Sequence, residues 1–507
     1  MWRMGPSKFG LGRGWPVVPL PDNPQMKWPP ENWRQVYEKY AEWAAWYSGD
    51  PNQLAAVHSA MVYTPTPRGR HWAKDVQEER RTMIHVPIAG DIATASADLL
   101  FSESPDIRIP EAHEERAGSD AKKTQERLEQ IIEGIGLHNR FLEAGESAAA
   151  LGGVFLKATW DKEVSPYPIL SIAQADNAIP EFRWGVLTAV TFWKEIEEDG
   201  DTVWRLLERH EKGVILTGLY KGTRDKLGAR VSLKTRPDTA NEQDEIKTRI
   251  DDLLVRYVPN IRPNNLWRGS ALGKSDYAGS EGLMDALDEV YTSWIRDIRL
   301  GVGRLIVPDY WLEKTPDGQQ GFDIDREVFT TLPGVSPTQD VGITVSQFEI
   351  RTEQHRQTAL DLLDRIISRA GYSPQTFGLK IEGRAESGIA LNIRERKSFV
   401  TKAKKERYWK PALEDILRIM LHIDREFLGN SVTVFRPSVA IQDSIQNDLL
   451  QTSQAVEMLN RAEAASIWTK VRMVHPDWSE EQVTEEVQRI KEERGLAMPN
   501  PDEVGMA

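Results

Sequence analysis

The stretch from residue 281 to residue 428 constrains the fold more than any other part of the chain. In EGLMDALDEVYTSWIRDIRL, residues 281–300, Leu283, Leu287, Val290, Trp294 and Ile298 share one face. That spacing predicts a helix of about 30 Å. Strand character follows over 304–347: RLIVPDYWLE, a PDG turn, and VGITVSQ, where Val341, Ile343 and Val345 alternate with small or polar residues. Residues 351–370 return to a helical pattern with Leu362, Leu363, Ile366 and Ile367, and a Pro/Gly-punctuated loop, GYSPQTFGLKIEGRAESG, comes next. A long helical tract then runs from about Ile389 to Leu428, with Pro411 expected to kink it or to start a new helix.

The rest of the chain reads more conventionally. Residues 1–30, rich in Gly, Pro and Trp, read either as an extended docking arm or as a disordered terminus. ENWRQVYEKYAEWAAWYSGD predicts a helix with Val36, Tyr40, Trp43 and Tyr47 on one side, stopped by Gly49, Asp50 and Pro51. Residues 86–101, 121–133 and 137–151 are further helical stretches. Short β-like runs separated by Gly-rich turns fill 154–260, so 1–270 reads as one α+β domain. Beyond the long tract, SVTVFR predicts a strand, and 444–466 and 479–494 predict helices.

Composition excludes several classes. The 507 residues contain no cysteine, which removes disulfides, Cys-ligated zinc and Cys nucleophiles. Mean hydropathy is −0.49 and no apolar run approaches membrane-spanning length, so no transmembrane helix is expected. Pro and Gly interrupt the region where a signal peptide would be apolar. With 64 Lys+Arg against 77 Asp+Glu, the net charge of −13 argues against a surface that coats nucleic acid, though not against a local basic site. Seven of the 17 tryptophans precede residue 73, a density that suits large packed interfaces or ordinary cores.

No motif assembles a catalytic site. RGSALGKS at 268–275 is one residue short of a phosphate-binding loop, because only three residues separate Gly269 from Gly273. The alternative is a helix-entry turn capped by Ser275 or Asp276. GLGRG at 10–14 has neither the preceding strand nor the following helix of a dinucleotide fingerprint. The nine histidines are scattered, and DIDRE at 323–327 suits a solvated turn better than a Mg²⁺ site. Charge is more informative. Residues 394–410 carry a net +6, and residues 476–507 carry a net −6. A basic helix can track phosphates, meet an acidic neighbour or be solvated. In the loop, Lys380 and Arg384 are flanked by Glu382 and Glu386, and Gly378, Gly383 and Gly388 suggest mobility.

The order helix, β insert, helix, Pro/Gly loop, long kinked helix resembles the portal proteins of tailed bacteriophages, the long-tailed branch especially. The residues that carry the resemblance are YSPQTFGLKIEGRAESGIALNIRER, 372–396, where SGIAL at 387–391 matches the family's entry into its long helix. The resemblance implies an α+β portal fold. Its parts would be a wing (31–274), stem helices (275–303 and 349–370) and a clip (304–348), while the N-terminal arm (1–30) departs from the family and its role stays open. A tunnel loop (371–388), a long wing helix with return strand (389–440) and a crown (441–507) would complete it. It implies a structural ring, usually of twelve subunits, at a capsid vertex of the virion, assembled in the host cytoplasm, with no enzymatic activity, cofactor, metal or membrane partner. Double-stranded DNA would pass Lys380 and Arg384, with Arg394, Arg396 and Lys397 as further candidates on the basic helix. Tyr310, Trp311, Asp317 and Asp323 would face the terminase large subunit and the head–tail adaptor. Major capsid protein and scaffold would be further partners. The competing expectation is a packaging ATPase or nuclease subunit using 268–275, with LIVPD at 305–309 as a metal strand.

Overall fold

The structure, a computed structural model, describes residues 20–61, 83–110, 118–300, 304–306, 313–314, 320–321, 344–346, 350–379, 388–441, 449–475, 478 and 480–493. The chain divides into two compact units, Met1–Ile441 and Gln442–Ala507.

In the first unit, helix Arg34–Ser48 ends at Gly49, whose φ of 65° is a left-handed conformation that glycine adopts without penalty. A helix the sequence did not announce, Pro51–Met61, follows at once, because Pro51 supplies a pre-set first helical residue. Helix Ile88–Phe101 packs closely on helix Leu137–Leu151. A Cβ on Gly145 would lie 3.0 Å from the Phe101 ring and 3.4 Å from Ala97, so glycine sets the approach. Helix Ser119–Gly134 lies between them in sequence. Strand β1 (Asp106–Arg108) pairs antiparallel with the distant strand Ser438–Ala440. The strand expected at SVTVFR is thus displaced. Residues 431–437 form no ladder, and Pro437 lacks the N–H a ladder needs, so pairing begins at Ser438.

Strand β2 (Gly153–Thr159) is the centre of a three-stranded sheet, between β3 (Ile169–Gln174) and β10 (Val255–Pro259). Its alternation divides two cores. Val154, Leu156 and Ala158 face one with Trp409, Leu413, Ile416 and Leu417 of the long helix. Phe155 faces the other, with Trp43, Trp46, Leu287 and Ile366. A meander forms the second sheet: β4 (Ala178–Arg183), β5 (Val186–Asp199), β6 (Thr202–Glu211), β7 (Val214–Thr223) and β8 (Lys226–Val231), with β9 (Glu245–Lys247) against β7. Four two-residue turns connect it in series: Trp184-Gly185, Gly200-Asp201, Lys212-Gly213 and Arg224-Asp225. The described part of the N-terminal arm docks here. Trp28 N donates to Asp225 O, Leu227 N donates to Met26 O, and Leu20 and Trp28 are buried against Leu207, Tyr220 and Leu227. Trp2 and Trp15 lie outside the described residues.

Helices Glu281–Leu300 and Thr352–Ala370 form where expected. Between them the described residues hold two strand pairs, Arg304–Ile306 with Thr344–Ser346 and Glu313–Lys314 with Gln320–Gly321. The long tract is one helix, Gly388–Glu426, and Pro411 does not start a second. Pro411 is exposed while Trp409 and Leu413 are buried, so the carbonyl it leaves unpaired is on the solvent side, where water can satisfy it. The second unit packs helices Leu449–Arg461, Ile467–Val474 and Glu480–Glu493, with Val471, Val483 and Val487 in its core. The expected 444–466 helix is shorter because Ser466 caps a new helix, its Oγ accepting from Thr469 N at 3.1 Å.

Candidate functional site: the joint that roots the long helices

Three chain segments meet at one buried point. Asp276 stands just before helix Glu281–Leu300, Tyr372 just after helix Thr352–Ala370, and Lys405 lies inside helix Gly388–Glu426. Lys405 Nζ donates to Asp276 Oδ2 at 2.6 Å, Tyr372 OH at 2.9 Å and Ser96 Oγ at 2.5 Å. Tyr372 OH donates to Asp276 Oδ2 at 2.7 Å, and Asn260 Nδ2 donates to Oδ1 at 2.7 Å. The side chains of Lys405 and Asp276 are almost wholly buried, so each charge depends on the other for its stabilisation. Burial pulls the Lys405 ammonium below the ordinary lysine pKa, with Asp276 opposing that shift, and burial pushes the Tyr372 phenol well up.

The same helix clasps the chain leaving the second long helix. Ser398 Oγ accepts from Ser373 N at 2.9 Å, Thr401 Oγ1 donates to Gly371 O at 2.6 Å, and Lys397 Nζ donates to Ser368 O at 2.5 Å. Gly371 has a φ of 97°, and a Cβ there would meet Thr401 Oγ1 at 2.8 Å, so the close approach requires glycine. Residues 371–379 accordingly form a hydrogen-bonded turn, with Gly378 closing the 3₁₀ turn Pro374–Phe377. On the other side, helix Glu281–Leu300 is locked at its root. Trp43 Nε1 and Lys39 Nζ reach Glu281 Oε1 at 3.1 and 2.6 Å, and Tyr277 OH donates to Trp43 O at 2.8 Å. Asp288 accepts from Val86 N at 2.8 Å and contacts His85 Nδ1 at 2.8 Å.

Farther out the two long helices hold each other through Asp297, which accepts from Arg351 at 2.9 Å and contacts His355 Nε2 at 3.0 Å. The hydrogen bond to His355, with Arg351 assisting, lowers the Asp297 carboxyl below the ordinary aspartate range. A lowered folded pKa contributes stability above the unfolded value of about 3.9, lost as pH falls through the folded value. A wild-type chain should therefore melt higher than Asp297→Asn near pH 6. That gap should close as the pH drops below about 4, as checked by melting both proteins across a pH series.

The residues singled out from sequence distribute unevenly. Lys380, Arg384, Tyr310, Trp311, Asp317 and Asp323 lie outside the described residues, and Arg394 is helical with its side chain outside them. Arg396 is exposed, and Lys397 serves the helix end just described. The basic tract is not one phosphate-tracking face: Lys402 and Lys405 point inward, while Lys404, Arg407 and Lys410 are exposed. Nor is Ser275 or Asp276 a helix cap. Ser280 O receives the first helical bonds, and Ser275 Oγ donates to Ala149 O at 3.1 Å.

The glycine-rich segment is spent internally. Gly273 N donates to Tyr257 OH at 2.9 Å, Lys274 N to Ile261 O at 3.2 Å and Asp276 N to Ala149 O at 3.0 Å. A Cβ on Gly273 would fall 2.1 Å from Gly152 O, so this glycine serves backbone packing, and the N–H groups of Ser270, Leu272, Gly273, Lys274 and Asp276 are spent within the fold. Sequence reasoning missed Asp276, Tyr372 and Ser96 as a unit and read Lys405 only as one charge of a run. The available signal was spacing, since Ser398, Thr401, Lys402, Lys405, Trp409 and Leu413 recur on one face of the helix.

What these elements define is a mixed helix and sheet protein built around rooted long helices. The family described as "Phage portal protein, SPP1 Gp6-like" matches residues 27–499, and the chain belongs to that family of portal proteins. Among solved structures, a chain of "Virion of native gene transfer agent (GTA) particle" aligns at 12% identity and a TM-score of 0.42, over 83% of this chain and 98% of that one. A chain of "Neck of empty GTA particle computed with C6 symmetry" gives 13% and 0.42, over 82% and 98%. None of the curated proteins matches. No helix among the described residues is long and apolar enough to cross a membrane, and no group of three or more His, Asp or Glu among them is placed to hold a metal ion.

Proposed function

We propose that the chain assembles into a closed ring, twelve copies in the family's usual form, at one vertex of a phage-like capsid. Double-stranded DNA enters through the ring under a docked terminase and later leaves through it after head–tail adaptors attach. The observation that carries this reading is the match to the portal family over residues 27–499. The helix pair supports it. Its roots are buried, yet Ile298 and Leu360 are 44% and 40% exposed on it and Ile350, just before the second helix, is 37% exposed, an apolar surface that neighbouring copies in a ring would cover. In this reading 275–303 and 349–370 are the stem, and 304–348, with Tyr310, Trp311, Asp317 and Asp323, is the clip that meets terminase and adaptor. Lys380 and Arg384 face the DNA, and 441–507 form the crown. Few cations in the channel suit a duplex that must slide, because each neutralised phosphate adds salt-dependent affinity.

Negative-stain imaging of the purified chain tests the reading: closed rings with a central hole are expected, and monomers or sheets would sink it. Lys380→Glu with Arg384→Glu should form the same rings and alter the retention of packaged DNA. Unchanged retention would remove the loop's DNA-facing role. ATP hydrolysis abolished by Lys274→Ala would favour the motor alternative.

A further inference from the structure

One end of the six-stranded sheet lies beside a cationic cleft, and the other end carries a cluster of carboxylates. At one end is the β4–β5 turn. Trp184 there has a φ of 55° and is 80% exposed, and Val186 is 66% exposed. Two-residue turns of this hand favour Asn or Gly at that position, so a bulky residue held there is both strained and unburied. The adjacent Gly185 lines a cleft of about 290 Å³, walled by Phe182, Arg262, Arg407, Tyr408 and Pro411. Arg262 and Arg407 are exposed and make no ion pair among the described residues. The one carboxylate on that wall, Asp415, is already engaged by Arg436 at 3.2 Å and Arg256 at 3.5 Å. In a chain of net charge −13 this is a cationic, aromatic-walled cleft beside a free indole.

The other end of the same strand is acidic. EIEEDGD, residues 195–201, runs from the end of β5 into the Gly200-Asp201 turn. Glu195, Glu197 and Glu198 are held by Arg205, Arg236 and Arg224, while Asp199 and Asp201 are exposed and make no ion pair among the described residues, with Arg224 close enough to feel the Asp201 charge. Consecutive turns of an antiparallel meander lie at opposite ends, so the 14 residues of β5 separate cleft and acidic tip by about 45 Å. A head-to-tail ring needs this arrangement: two different, complementary patches on well-separated parts of one subunit.

We infer that the cleft beside Trp184 receives the Gly200 hairpin tip of a neighbouring copy, with Asp199 and Asp201 meeting Arg262 and Arg407 and the indole closing over the turn. The inference rests on the ring reading above. Its test uses two exposed charge reversals in the full chain. Arg262→Glu with Arg407→Glu gives copies whose cleft and tip are both acidic, and Asp199→Lys with Asp201→Lys gives copies whose cleft and tip are both basic. Each variant alone should lose closed rings at least roughly tenfold at low salt, since like charges would face each other. A one-to-one mixture should recover rings of alternating composition, because every junction is then complementary. A chain carrying all four changes should also close. Rings from each variant alone at the wild-type level would overturn the inference and leave the portal reading standing. So would loss of rings that neither the mixture nor the fourfold variant restores. Absence of rings from the wild type would overturn both.

Discussion

Lys405→Met is expected to lower the unfolding free energy of the chain by about 3–5 kcal/mol, because it leaves the Asp276 carboxyl buried without its cation. The carboxylate would keep the Tyr372 and Asn260 hydrogen bonds, but not the charge that stabilises it. Asp276→Asn in the Lys405→Met background should recover a large part of that loss, since a neutral amide tolerates burial far better than an unpaired carboxylate. The double-mutant cycle, read by urea unfolding, separates the pair's coupling from the cost of each substitution. Equal destabilisation in the single and double variants would show that the ion pair is not what holds the joint. The joint has a consequence beyond stability. Asp276, Tyr372 and Lys405 belong to three segments, so a Lys405→Met chain that still folds should show faster amide exchange where both long helices root.

Trp43→Ala should cost about 3–5 kcal/mol, the range for emptying a large aromatic site in a packed core. Trp43 is fully buried, packs on Tyr40 and Trp267, and donates to Glu281 at the root of the first long helix. Trp43→Phe keeps much of the volume and loses only the indole donor to a carboxylate, so it should cost about 1–3 kcal/mol. If both variants melt like the wild type, the N-terminal tryptophans serve a purpose other than the fold of the monomer. Trp28, Trp43 and Trp46 are in fact buried within the chain, which accounts for part of the aromatic excess without invoking partners.

Much of the helical framework was legible because its signal is local. The 281–300 helix follows from apolar spacing, and the 137–151 helix from a small-residue run closed by Gly152. The mostly-sheet character of 154–260 was legible for the same reason, since three of the four two-residue turns contain glycine and the runs between them are β-like, while the meander order was set by the tertiary fold. The misses have a common cause. SVTVFR has the composition of a strand, but whether a strand forms depends on a partner, and the partner for this region is β1, which lies more than 300 residues earlier and pairs only from Ser438. Pro411 looked like a break because propensity counts the lost hydrogen bond but not where it falls. Here it falls on the solvent side of a helix whose other face is anchored by Trp409 and Leu413.

The sequence by itself determined the order of elements, the lack of thiol and disulfide chemistry, and the portal resemblance, because each is written in residue types and their spacing along the chain. Only the tertiary structure decided which charges of the +6 tract face solvent and which hold the joint. It also spent the glycine-rich segment on packing rather than on a phosphate, and placed a cationic cleft and an acidic turn at opposite ends of one strand. Those outcomes depend on desolvation and on contacts between segments hundreds of residues apart. A charge's burial and its partner are set by what folds against it, not by its neighbours in sequence.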